Sequence, residues 1–216
     1  MSIHKSYAVF GLGRYGTAVA EELVASGADV IAVDRNRNIV NDLAVRLPVC
    51  KCADITDAEV IKKLGISNVD VVIIAMAESL EASVMATMLC KEAGVPEVIA
   101  KCGNEMHRKI LSRVGADKVL FPEMDSGTRL AKNLLSSGFV EMIELSSNVS
   151  MVEIDVKPEW VEKSLIELNL RKKYSLNVIA IRQNGKVSID VSPDTLLKPD
   201  MKLTVIADTK KLSKLK

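Results

Sequence analysis

Aromatic residues are scarce: three Phe, three Tyr and one Trp stand among 216 residues. A core must therefore come from Val, Ile, Leu, Ala and Met, and the aromatic platforms that hold single-stranded nucleic acid are missing. Cysteine is scarce too. Cys50, Cys52, Cys90 and Cys102 show no C-x-x-C spacing, so they read as reduced thiols of a cytosolic chain, and the Cys50-x-Cys52 pair reads as core. Neither sign of charge is in excess, with 29 Lys+Arg against 28 Asp+Glu. No global field then points to nucleic acid or an anionic membrane. The longest apolar run, Val71 to Ala77, falls far below the roughly 18 residues of a bilayer span. Met1 to Lys5 offers no stretch of signal-peptide length. The expectation is a soluble cytoplasmic chain, 48% hydrophobic and 26% charged. Its length allows one large domain or two small ones, at roughly 100–150 residues each.

What is present is a regular alternation. Tyr7-Ala8-Val9-Phe10 is apolar throughout, as a strand buried on both faces must be. A helix is expected from Thr17 to Ser26, ended by Gly27. Further strands are expected at Val30–Val33, Val49–Ala53, Val69–Ala75, Val98–Cys102 and Lys118–Phe121. Helices are expected at Asn38–Leu47, at Asp57–Leu64 with Thr56 as cap, after Ala77, and at Glu105–Val114. In the helix after Ala77, Leu80, Val84 and Met88 form a stripe at four-residue spacing. Such alternation predicts an α/β, Rossmann-like, doubly wound parallel sheet over residues 1–122.

After Pro122 the rhythm changes. Residues 123–139 read as a crossover helix to Leu135 and a hinge at Ser136-Ser137-Gly138. Residues 140–216 read as a small α+β domain, with strands at 140–145, 150–156, 177–182, 187–191 and 203–207. Asn184-Gly185 between two alternating runs is a strong hairpin signal.

Gly11-Leu12-Gly13-Arg14-Tyr15-Gly16 follows a buried strand and opens a helix, and Asp34 ends the next strand. In that context Gly11 permits the tight turn, Gly13 lets backbone approach phosphate, and Gly16 lets helix pack on sheet. Phosphate would then meet the free N–H groups of a helix N-terminus, and Asp34 the ribose hydroxyls. Arg14 can pair bidentately with a terminal phosphate, which suits ATP or ADP at least as well as NAD. Arg35 either stacks on adenine or is solvated. Ligands of open α/β sheets bind at the C-terminal strand ends. That places Asp54, Ile55, Met76, Ala77, Glu78, Lys101 and Glu123 among the candidates, each of the charged ones being equally readable as a surface charge. Lys101 can reach phosphate, Glu123 a divalent cation, and His107 is either a ligand contact or a surface residue. The segment from 140 has neither His nor Cys, so no acid, base or metal cluster for catalysis stands out. Binding without turnover is the economical reading. A small NAD-dependent oxidoreductase and a DNA-binding redox regulator are the competing classes, and the near-zero charge speaks against nucleic acid.

The stretches Ala8 to Gly16, Ile31 to Asp34, Gly115 to Glu123 and Ile179 to Arg182 resemble the cytosolic regulatory subunits of bacterial Ktr and Trk potassium uptake systems. These join an RCK N-terminal (TrkA-N) to an RCK C-terminal (TrkA-C) domain, and the KtrA or KtrC type has about this length. The resemblance implies a nucleotide-sensing gating ring and not an enzyme. The ring would be an octamer built from homodimers, four to a ring, on a membrane potassium-transporting partner similar to KtrB or TrkH, peripheral to the inner face of the membrane. ATP and ADP would favour different ring shapes, with NAD or NADH as the alternative ligand. By position, Arg14 would meet the γ-phosphate across the dimer, Asp34 the ribose, and Asp54 with Ile55 the adenine. Lys101 and His107 would line the phosphate side, and Glu123 would share a divalent cation, Mg²⁺ or Ca²⁺, between two nucleotides. Asn169-Leu170-Arg171, with Asn177 and Pro193, looks like the family's cyclic di-AMP site, with Asn169 where a matched member has Asp.

Overall fold

Continuous apolar runs become strands with both faces covered. The computed structural model describes residues 5–135, 139–146 and 148–208, and the chain divides into two compact units between Met124 and Asp125. In the first unit β1 (Ser6–Phe10), β2 (Asp29–Asp34), β3 (Cys50–Cys52), β4 (Val71–Ile74), β5 (Glu97–Lys101) and β6 (Lys118–Leu120) form one sheet in the order β3-β2-β1-β4-β5-β6. Every pairing is parallel. Ala8 and Phe10 join one apolar cluster with Val72 and Val98, while Val9 joins another with Ala32 and Ile73. One residue to each side is why the run shows no polar alternation.

The connecting helices are α1 (Arg14–Ala25), α2 (Arg37–Leu43), α3 (Ala58–Lys63), α4 (Leu80–Glu92) and α5 (Glu105–Arg113), and α6 (Pro122–Leu135) follows β6. Gly27 ends α1 at φ +80°, with its N–H donating to the Val24 carbonyl. Three expectations are corrected here. Asp57, and not Thr56, caps α3 by accepting the Glu59 N–H at 2.8 Å; the Thr56 hydroxyl donates to Asp54 instead. On α4 only Val84 of the Leu80-Val84-Met88 stripe packs on the core. Ser83, Ala86, Thr87 and Cys90 are buried, and Leu80 and Met88 are 45% and 40% exposed. The Cys50-x-Cys52 pair is not core either, because β3 is the sheet edge: Cys50 is half-buried and Cys52 exposed.

Of the polar residues buried on α4, Thr87 donates to the Ser83 carbonyl at 2.7 Å, and Ser83 meets His107 of α5. The Gly103 N–H donates to His107 Nδ1 at 3.3 Å, which leaves the ring proton on Nε2, 2.6 Å from Ser83 Oγ. Ser83 in turn donates to the Leu80 carbonyl. The imidazole is buried and ties α4 to the β5–α5 turn.

The second unit is an antiparallel sheet with short helices. Its strands β7 (Phe139–Ser146), β8 (Val149–Asp155), β9 (Asn177–Gln183), β10 (Lys186–Ser188) and β11 (Lys202–Asp208) run in the order β10-β9-β11-β8-β7. Asn184 and Gly185, at φ +50° and +75°, make the hairpin turn between β9 and β10. Pairing stops at Ser188, so β10 is shorter than the expected 187–191. Trp160 fills the core against Val152, Leu203 and Val205. Helices α7 (Leu165–Leu168) and α8 (Leu170–Tyr174) meet at Asn169, which is left-handed at φ +47°. The expected hinge at 136–138 and the Lys-rich end, Lys210, Lys211, Lys214 and Lys216, lie outside the described residues.

Two outcomes are expected. A Cβ on Gly16 would lie 1.9 Å from the Gly11 carbonyl oxygen, whereas one on Gly13 meets nothing within 4 Å. Gly16→Ala should therefore cost about 1–3 kcal/mol in urea unfolding, and Gly13→Ala less than about 0.5 kcal/mol. Burial also pushes the His107 pKa below its usual 6.5. The unfolded imidazole then takes up its proton first as pH falls, and stability present above pH 6.5 is lost as pH drops through the depressed value. Thermal melting should fall more steeply from about pH 7.5 to 5.5 in the wild type than in His107→Gln.

Candidate functional site

The order of the first sheet reverses between β1 and β4, and a cleft opens there at the C-terminal strand ends. Its volume is about 1200 Å³. Each β–α junction contributes a portion of the wall. Gly11, Gly13, Arg14 and Tyr15 come from the first, Asp34 and Arg35 from the second, and Asp54 and Ile55 from the third. Met76 and Ala77 follow β4, Lys101 ends β5, and Glu123 stands in the first turn of α6. Two of the sequence candidates lie elsewhere. Gly16 is buried behind the turn, where its lack of a side chain lets α1 seat on Gly11. His107 faces Ser83 inside the unit and does not line the cleft.

One end of the cleft is built from α1. Its N-cap is Gly13, which has no side chain to occupy the first N–H groups, so the helix terminus is available to an anion. The turn before it is fixed from the neighbouring strand: Asp34 accepts the Leu12 N–H at 2.7 Å and the Asn36 N–H at 2.8 Å. Each carboxylate oxygen retains a lone pair for a hydroxyl of the ligand. Arg14 is exposed and makes no ion pair among the described residues. Lys101 lies with its ammonium 5.7 Å from the Tyr15 ring centroid and donates to Glu123 Oε1 at 2.6 Å. That hydrogen bond, with the residue's own N–H second, holds the Glu123 carboxyl below its usual range.

Beyond Asp34 the wall includes an apolar portion from Ile39, Ala53 and buried Ile55. Asp54 closes its own turn: it accepts the Thr56 N–H at 3.0 Å and hydroxyl at 2.7 Å, which lower its pKa. Asn36, Thr56, Ser79 and Met85 also line the cleft and were missed in the sequence. Ser79 carried a usable signal, since it caps α4 by accepting the Ala82 N–H just beyond β4. Five carboxylates, Asp34, Asp54, Glu78, Glu81 and Glu123, face three cations, Arg14, Arg35 and Lys101. Among the described residues no three His, Cys, Asp or Glu side chains gather as a metal site, so an ion at Glu123 would take its other ligands from elsewhere.

In the second unit Asn169, Arg171, Asn177 and Pro193 are all exposed. Asn169 ends α7, and the Pro193 carbonyl accepts the Ile166 N–H of the same helix at 2.9 Å. Arg171 lies on α8, and Asn177 begins β9. No described helix is long and apolar enough to cross a membrane.

Comparison with known proteins matches both units. Residues 7–122 match the TrkA-N domain and residues 149–216 the TrkA-C domain. Ktr system potassium uptake protein C of Bacillus subtilis is 34% identical over 97% of this chain and 95% of its own. Ktr system potassium uptake protein A of Vibrio alginolyticus is 34% identical over 93% of this chain and 88% of its own. Among solved structures, the GsuK channel bound to NAD aligns with a TM-score of 0.64 at 18% identity, covering 99% of this chain and 39% of that one. The chain belongs to the TrkA-N/TrkA-C family that includes the Ktr system potassium uptake proteins.

Proposed function

We propose that the chain is the cytoplasmic, nucleotide-sensing regulatory subunit of a potassium uptake system, binding ATP and ADP in the cleft of its first unit without turning them over. The relatives named for Ktr potassium uptake support the transport role across nearly their whole length. The observation that carries the nucleotide reading is the cation pair at the phosphate turn. Arg14 follows Gly13 with no ion pair among the described residues, and Lys101 lies over Tyr15, the next side chain. A ligand ending in a charged phosphate uses both kinds of cation, Lys101 of its own cleft and Arg14 of the copy beside it, whereas a dinucleotide continues past its pyrophosphate with a neutral ribose. With five acids against three cations on its walls, the cleft favours a polyphosphate that brings its own divalent ion. Glu123 would add one carboxylate to that ion and the phosphates the rest, with Mg²⁺ or Ca²⁺ acting as a counter-charge.

In the assembled state a homodimer would bring Arg14 of one copy to the terminal phosphate held by the other, and four dimers would close an octameric ring on a membrane partner. Better binding of ATP to one ring shape shifts the population toward it. NAD or NADH in the same cleft is the second reading. It is favoured by Asp34, whose oxygens are placed for ribose hydroxyls, and by the NAD-bound GsuK channel of similar fold. In the second unit, Asn169, Arg171, Asn177 and Pro193 are proposed to receive cyclic di-AMP at a dimer interface. Titration calorimetry with ATP and ADP in the presence of Mg²⁺ tests the main reading. Arg14→Ala should weaken ATP by roughly 10- to 100-fold and ADP by less than about threefold, because the lost contact is a charge-assisted one to the third phosphate. An unchanged ATP:ADP preference would overturn it.

A further inference from the structure

Lys101 and Glu123 are unequal partners. The lysine side chain is 15% exposed and the glutamate 63%. Tyr15 and the end of β5 fix where Lys101 points, and Glu123 reaches it from the first turn of α6. The 2.6 Å contact therefore joins a held cation to a movable carboxylate. A phosphate arriving at the N-terminus of α1 finds Arg14 without an ion pair among the described residues, but it does not find this lysine free.

Resting on the nucleotide reading above, we propose that the Lys101–Glu123 ion pair is an inhibitory contact that nucleotide phosphate displaces, releasing the first turn of α6, the helix that leads out of the nucleotide unit. The exchange conserves hydrogen bonds: the ammonium gives up a carboxylate oxygen and takes a phosphate oxygen. Phosphate wins because it brings more charge to Lys101 and also meets the first N–H groups of α1. Once displaced, Glu123 faces a polyphosphate of its own sign. It then turns to solvent or shares a divalent cation with the phosphates. Removing its charge therefore has opposite consequences with and without the metal: it abolishes a competitor in one case and a ligand in the other.

ADP binding in EDTA, measured by calorimetry on the full chain, isolates the competition. Glu123→Gln should bind ADP about two- to tenfold tighter than wild type, the range expected for losing one partly exposed ion pair. In a Lys101→Met background the same substitution should change affinity by less than about twofold. Amide hydrogen exchange supplies a readout independent of affinity: residues 125–128, whose N–H groups bond back to the first turn of α6, should exchange faster in ligand-free Glu123→Gln, and in wild type when ADP is added. Tightening that survives Lys101→Met, or equal or weaker ADP binding by Glu123→Gln, overturns the inhibitory contact alone. A wild-type chain that takes up no ADP overturns the nucleotide reading and this proposal with it.

Discussion

No side chain fits between residue 16 and the carbonyl of Gly11; a single Cβ would lie 1.9 Å from that oxygen. This close approach of α1 to the turn before it sets the direction of the helix and so the direction of its free N–H groups. The turn is then locked from the side, because Asp34 at the end of β2 accepts the Leu12 N–H. One carboxylate thus both builds the phosphate turn and remains available to a ribose. Gly13, by contrast, has open space where its side chain would be, and that space is where a ligand's phosphates would come closest to backbone. Of the glycines in the motif, Gly16 is required by packing and Gly11 by its positive φ of +88°, while Gly13 leaves open space.

The sheet order converts that local geometry into a site. Helix α1 leaves β1 on one side of the sheet reversal, and β4 and β5 carry Met76 and Lys101 on the other. A bound polyphosphate would bridge the two halves. It would also compete for Lys101 with Glu123, which lies at the start of the helix running out of the unit. On that proposal ligand identity would be coupled to a contact that differs between the empty and filled states, which is the physical requirement for a sensor. A ligand that bound both arrangements equally would shift nothing.

The parallel unit was legible in the sequence because strands buried on both faces leave uninterrupted runs such as Tyr7 to Phe10, and because the glycine motif falls between a strand and a helix. The Asn184-Gly185 turn was legible for a related reason, since both residues tolerate the positive φ that the hairpin demands. What escaped were positions decided by partners distant in sequence. Residue type predicted that Leu80, Val84 and Met88 would pack, and of these only Val84 does. Instead Ser83 is buried because His107 satisfies it from 24 residues away, and the same hydrogen bond removes His107 from the cleft. Cys52 reads as apolar, yet its strand lies at the sheet edge. Thr56 lost the helix cap to Asp57 because its own hydroxyl is engaged by Asp54.

The central claim is that this chain assembles into a ring carrying an adenine nucleotide in each copy. Native mass spectrometry of the purified protein reports stoichiometry and bound ligand together. The account predicts an eight-chain particle with one ATP or ADP per chain, convertible from one to the other by exchange. A nucleotide-free monomer, or a particle loaded with NAD that ATP and ADP fail to displace, would contradict it.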